Sequence, residues 1–102
     1  MKTYVVAKIH EIPEGTSVAV KAGKRVIAVV NVDGQFFAIN NVCSHKGASM
    51  CDGIIDKDRK VVRCPWHLWD WSLETGRLEA NPKRRMPTFE IKIEGDEILL
   101  YA

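Results

Sequence analysis

The run Arg25-Val-Ile-Ala-Val-Val-Asn-Val32, then Asp33-Gly34, then Gln35-Phe-Phe-Ala-Ile-Asn40, constrains the fold more than any other stretch of the chain. β-branched side chains are stiff at χ1 and fit a pleated surface better than a helix. Asp-Gly tolerates the left-handed angles that a two-residue hairpin turn requires. The stretch therefore predicts a strand over 25–32, a tight turn and a partner strand over 35–40. Similar signals flank it. Tyr4–Ile9 reads as a strand closed by Pro13 and Gly15, and Ser17–Lys21 alternates up to Gly23. Near the far end Phe89, Ile91 and Ile93 alternate with Glu90, Lys92 and Glu94. Gly95-Asp96 then turns the chain into a last strand, Glu97–Tyr101. Helical periodicity is almost absent. The pattern predicts an all-β fold of antiparallel sheets packed as a sandwich.

The 102 residues suit one domain spanning 1–102. A domain of this size buries roughly 60–65% of its unfolded surface, so a bound metal would help the core. With 46% hydrophobic and 27% charged residues, disorder is excluded as a class. A net charge of +2 argues against a dedicated nucleic-acid binder. The longest apolar run, Val26–Val30, is too short to span a bilayer. The opening MKTYVVAKIH has no secretory apolar core, because Lys8 interrupts it. Three cysteines, an odd number, do not make a disulfide scaffold. They fit free thiols or metal ligands in a reducing compartment, so the expectation is a cytoplasmic protein without a membrane partner.

Between the two β portions, at about 41–87, lies a segment of another kind, with short strands at Lys60–Arg63 and Asp70–Ser72 among Gly- and Pro-marked loops. It holds all three cysteines, two of the three histidines and all three tryptophans. Such a loop-rich insertion on a rigid scaffold is where function tends to sit. Two signatures stand out in it, Cys43-Ser44-His45 and Cys64-Pro65-Trp66-His67. Each offers one thiolate and one imidazole. Zinc accepts a Cys2His2 set, but its usual spacing puts like ligands in each half. A Rieske-type [2Fe–2S] cluster also needs two Cys and two His, with both histidines on one iron. Two mixed loops can supply both cysteines to one iron and both histidines to the other, so the order suits a two-metal cluster better than a single ion. A structural zinc site remains the alternative.

With "CSHKGA" and "CPWH" in this order, the chain resembles the Rieske iron–sulfur family, and within it the Rieske-type ferredoxins of oxygenase systems. The likeness extends to the tail, Met86-Pro87-Thr88-Phe89-Glu90-Ile91 and Gly95-Asp96-Glu97. It implies one [2Fe–2S] cluster, with Cys43 and Cys64 on one iron and His45 and His67 on the other. It implies a one-electron carrier rather than an enzyme, a monomer that takes electrons from a reductase and passes them to a terminal enzyme, above all an oxygenase. The alternative is a small subunit fixed to a larger oxidoreductase such as a nitrite reductase. Gly47, Gly53, Pro65, Trp66 and Pro87 would support the cluster loops. Replacing two thiolates by neutral imidazoles leaves the oxidised cluster uncharged, which raises its potential into the range of roughly −150 to +300 mV. High-potential respiratory members carry a Ser and a Tyr after the second histidine and a cysteine pair between the loops. The matching positions hold Trp69 and Trp71, and Ala48 and Trp66. A low potential and no inter-loop disulfide are therefore expected.

Some residues depart from this pattern or lie outside it. Leu68 stands where the family usually has Gly. Cys51 has no partner in the pattern and reads as a small buried residue, a reactive thiol being the alternative. His10 reads as an exposed strand-end residue. Trp69 and Trp71 read as packing on one side of a short strand, while Trp66 is divided between core filling, shielding the cluster and meeting a partner. Lys83-Arg84-Arg85 reads as a solvated loop, with steering toward an acidic partner as the alternative. No oxygenase site can be built from this chain. A 2-His-1-carboxylate site needs two more histidines, and only His10 is left once His45 and His67 are committed.

Overall fold

The computed structural model describes residues 2–41, 53–63 and 69–102. Among them lie the strands β1 (Thr3–Lys8), β2 (Ser17–Ala22), β3 (Arg25–Val32), β4 (Gln35–Asn40), β5 (Ile54–Asp56), β6 (Val61–Arg63), β7 (Asp70–Ser72), β8 (Thr88–Glu94) and β9 (Glu97–Tyr101). One 3-10 turn, Ile9–Glu11, carries exposed His10 just beyond β1. Pairing is antiparallel throughout. A six-stranded sheet runs β1-β9-β8-β4-β3-β2, and a three-stranded sheet runs β5-β6-β7.

The β3–β4 hairpin is the hub. Asp33 (φ 53) and Gly34 (φ 90) take the left-handed angles that its two-residue turn demands. Buried Asn31 fastens the turn: its Nδ2 donates to the Ile12 carbonyl at 2.7 Å, and its Oδ1 accepts from the Gly34 amide at 2.9 Å. Both faces of the hairpin are covered. Ile27, Val29 and Ala38 pack with Ile12, Ala22, Ile98 and Leu100, joined by Tyr4, Val6, Val18, Val20, Phe89 and Ile91. Residues of all six strands meet in that one core, so the long sheet curls until its halves lie face to face. The hinge is the short β4–β8 pairing, Ala38↔Phe89 and Ile39↔Thr88. Ala28, Val30, Val32 and Ile39 point the other way, into a second core with Val62, Trp71, Leu73, Leu78 and Met86. A strand covered on both faces reads as a continuous apolar run, and this accounts for the unbroken burial of Ile27–Val32.

The small sheet supplies the far side of that second core. Its row Ile55, Val62 and Trp71 is aligned in register and packs inward. Alternation turns the adjacent row, Ile54, Arg63 and Asp70, to the outer face. Between β7 and β8 the chain doubles back, with bridges Trp71↔Leu78 and Arg77↔Arg85. Gly76 (φ 77) makes that return possible: a Cβ there would overlap the Met86 carbonyl oxygen, whose own amide donates to the Gly76 carbonyl at 2.8 Å.

Three local expectations shift. The first strand is Thr3–Lys8 rather than Tyr4–Ile9, because Ile9 enters the 3-10 turn. Lys60 sits at φ 52 and closes the β5–β6 turn, so β6 begins at Val61. β5 was not legible from the sequence. Three residues containing Ile-Ile show no alternation, and only pairing with β6 makes them a strand.

Candidate metal centre

Cys43, His45, Gly47, Ala48, Cys51, Cys64, Pro65, Trp66, His67 and Leu68 lie outside the described residues. The residues at both ends of their two segments are described, and the register fixes where those ends meet. Segment 42–52 leaves after Asn41 and re-enters through Gly53 into Ile54. Segment 64–68 leaves from Arg63 and returns through Trp69 into Asp70. Ile54 is the Cα partner of Arg63, and Arg63 is the partner of Asp70. The re-entry point of the first segment and both ends of the second therefore share one edge of the small sheet. The departure point of the first is tied in from the base, where the Asn41 amide donates to Val26 at 2.9 Å and the Asn40 amide to Pro87 at 3.0 Å. Pro87 is exposed and lends only its carbonyl to this contact.

The ends of the second segment are clamped. Arg63 Nε donates to Asp70 Oδ1 at 2.8 Å and its Nη2 to Oδ2 at 3.2 Å, a two-pronged pair that fits the planar guanidinium to a carboxylate. Arg59 Nη1 donates to the same Oδ2 at 3.1 Å, lies 3.9 Å from Asp56 and pairs with Glu79 through Nη2. The hydrogen bond from Arg63, reinforced by Arg59, holds the Asp70 carboxyl below the usual carboxylate range against the opposing effect of burial. Sequence reading missed this network, although Arg63 adjoins Cys64, because the pairing depends on cross-strand register. An open cleft of about 320 Å³ beside it is lined by Ile54, Ile55, Asp56, Lys57, Arg63 and Asp70. Its described lining offers no thiolate or imidazole.

The tryptophans divide by depth. Trp71 is fully buried in the second core, as expected for packing, and meets Trp69 edge-on with ring centroids 6.3 Å apart. Its indole N–H has no acceptor among the described residues. Trp69 is half-buried, with the Arg84 guanidinium 5.5 Å from its ring centre. Trp69 precedes β7 by one residue and packs against the same core as Trp71, in keeping with the packing role expected of both.

The donor chemistry at this edge can be tested against a metal group. No set of three or more His, Cys, Asp or Glu that could hold a metal occurs among the described residues. His10 lies outside the small sheet, in the 3-10 turn after β1. The remaining soft donors are the three cysteines and two histidines of segments that share one edge, and Cys51 aside they are two mixed pairs, Cys43 with His45 and Cys64 with His67. That is the donor set of a mixed-ligand [2Fe–2S] cluster, so the residues fit the group.

Known proteins point the same way. Residues 2–99 match the Rieske [2Fe-2S] domain. The chain is 36% identical over 93 residues to the 3-phenylpropionate/cinnamic acid dioxygenase ferredoxin subunit of Escherichia coli (strain K12), covering 90% of this chain and 86% of that protein. The same subunit of Shigella boydii serotype 4 (strain Sb227) matches at the same identity. The ferredoxin of carbazole 1,9a-dioxygenase from Nocardioides aromaticivorans IC177 superposes with a TM-score of 0.90, at 25% identity, over 98% of this chain and 97% of that one. A Mycobacterium tuberculosis protein described as the small subunit of an NADH-dependent nitrite reductase shares the fold, at TM-score 0.89 and 22% identity. An all-β frame with one clamped edge for two mixed Cys/His segments, and a family match across nearly the whole chain, lead to one assignment: the chain belongs to the Rieske [2Fe-2S] domain family.

Proposed function

We propose that the protein is a one-electron carrier in which Cys43 and Cys64 bind one iron of a [2Fe–2S] cluster and His45 and His67 bind the other. The observation that carries this reading is the common edge: Ile54, Arg63 and Asp70 stand in one register row, so segments 42–52 and 64–68 open from the same end of the small sheet. The cluster, when bound, takes up and releases a single electron. The chain's part is to hold it, with 1–102 as one domain and about 41–87 as its cluster-binding part. Gly47, Pro65 and Trp66 shape the ligand segments, and Pro87 supports the site through its bond to Asn40. Imidazole N–H groups at the outer iron would give electrons their exit.

Electrons come from a reductase and go to a terminal oxygenase. The 36% identical relatives are ferredoxin subunits of a dioxygenase, and a ferredoxin 27% identical to this chain has been solved in complex with its oxygenase. Catalysis then belongs to the partner. Among the described residues no helix is long and apolar enough to cross a membrane. With the odd number of cysteines, we place the protein in the cytoplasm.

The test is spectroscopic. Purified holoprotein should be red-brown, contain two irons and two sulfides, and on reduction give an electron paramagnetic resonance signal of a mixed-ligand cluster. A colourless protein with one zinc would overturn the reading. The fold likeness to a nitrite reductase small subunit supports a second reading, a fixed subunit. Co-purification from the native source with a larger oxidoreductase, in constant ratio, would favour it.

A further inference from the structure

The charges of the described residues differ between the two ends of the molecule. β3 runs toward the Asp33-Gly34 turn and β4 runs back, so Asn40 and Asn41 mark the metal end and Asp33 the opposite one. The small sheet is oriented likewise, with Ile54, Arg63 and Asp70 at the metal end and the Asp56-Lys57-Asp58 turn away from it. At that opposite end Glu14, Asp33 and Lys57 line one cleft, with Asp56, Asp58 and Lys60 beside Lys57 in the turn while Arg59 reaches back to Asp70, so four carboxylates face two ammonium groups there.

The metal end has the other sign. The β2–β3 turn carries exposed Lys24 and Arg25 beyond the point where Asn41 bonds to Val26. The Arg25 guanidinium rests 5.5 Å from the ring centre of Phe89, two residues after Pro87. Lys83 and Arg84 are exposed on the returning loop, with Arg84 over Trp69, the residue that closes segment 64–68. Among the described residues none of these four cations has a carboxylate partner. By contrast Arg59 and Arg63, on the outer face of the same sheet, are matched by Asp70, Glu79 and Asp56. The two stacked guanidiniums are held over rings rather than neutralised, so their charge stays available in a fixed place.

From this we infer that the metal end presents a cationic rim, Lys24, Arg25, Lys83 and Arg84, that receives a carboxylate-rich face of a protein redox partner. The acidic opposite end gives the molecule a dipole whose positive pole carries the electron exit, and an acidic partner would be turned toward that pole during approach. The inference rests on the electron-carrier reading and adds the sign of the partner's surface.

The test uses reduced holoprotein and two one-electron oxidants of opposite charge, hexacyanoferrate(III) and tris(phenanthroline)cobalt(III), in stopped flow. Each accepts the single electron that the reduced protein gives up. Oxidation by the anion should fall about tenfold or more from low to high salt, and oxidation by the cation should not fall. Lys83→Glu/Arg84→Glu should abolish or reverse the anion's salt dependence, and Lys83→Gln/Arg84→Gln should halve its slope. Lys57→Glu, which shifts the charge at the other end by two units as Lys83→Gln/Arg84→Gln does at the rim, should leave the slope nearly intact. Retained visible absorption shows that each variant is folded and loaded. Poly-L-glutamate at moderate salt should slow the anion's reaction, whereas a single-stranded oligonucleotide of equal charge should slow it less. Equal slopes in wild type and both rim variants would overturn the inference, as would equal or stronger competition by the oligonucleotide, which would assign the rim to nucleic acid. A protein without a reducible cluster overturns it too. That failure shows as a colourless sample, and so is distinguishable from a loaded carrier lacking the salt effect.

Discussion

The β base and the small sheet are built on different physics. The base has strands of five to eight residues, and its hub hairpin is buried on both faces. The small sheet has three strands of three residues, packed on one face only, with charge pairs on the other. The base is therefore held by burial, which salt and pH hardly touch. The small sheet is too short to stand alone and leans on the second core and the Asp70 network. The part beside the proposed ligand segments is the part that the rest must hold in place.

The most severe way to break this contrast is to remove a proposed ligand. Cys64→Ser should abolish the cluster's visible absorption, and hydrogen exchange should then show the β5–β7 amides opening while β3, β4 and β9 stay protected. Equal loss of protection in both sheets would end the two-part description. Ile39→Ala and Ile98→Ala should each cost about 2–5 kcal/mol in denaturant unfolding. They should differ in kind, because Ile39 faces the small sheet and Ile98 does not. Only Ile39→Ala should also speed the loss of colour. Gly76→Ala should cost about 1–3 kcal/mol, through its left-handed φ and the clash with the Met86 carbonyl.

Smaller effects fall on the charge network. Because the folded state holds the Asp70 carboxyl below its ordinary range, its contribution is full above the ordinary carboxylate pKa of about 3.9 and is lost as pH falls through the lower folded value. Acid should therefore loosen the small sheet before the base, and Asp70→Asn should make cluster retention insensitive to pH in that window. Retention that falls equally with acid in the variant would remove Asp70 from the account. The smallest change concerns Trp71. Its indole N–H has no acceptor among the described residues, and the side chain carries no hydroxyl. Trp71→Tyr, which restores the hydroxyl of high-potential relatives, should raise the midpoint potential in a redox titration, and an unchanged or lower midpoint would show that the hydroxyl does not reach the cluster.

Much of the fold is local enough to read directly. β3, β4, β7 and β9 fall on the residues that alternation and the Asp33-Gly34 and Gly95-Asp96 turns indicate. β5 escaped because three residues carry no period, and Lys60 moved to a turn because its left-handed angle follows from how Asp56 folds the preceding loop: Asp56 Oδ1 accepts from the amides of Asp58 and Arg59. The proposed ligand types, two thiolates and two imidazoles in mixed pairs, were plain in the sequence because such donors are chemically distinctive. That their segments share an edge was not plain, since it depends on Ile54, Arg63 and Asp70 falling into one register row.

By itself, then, the sequence determined that the chain is all-β, where its hairpins turn and which residues have the chemistry of a mixed cluster. All of these are written in neighbours a few positions apart. The tertiary structure decided that the long sheet curls on itself, that Arg59 and Arg63 are neutralised by Asp70 and Glu79, and that Lys24 and Arg84, sixty residues apart in the chain, stand at the same end without a carboxylate partner among the described residues. Those outcomes come from summing many distant contacts. No local pattern encodes them, because a strand's partner and a charge's neighbour are chosen only when the whole chain packs.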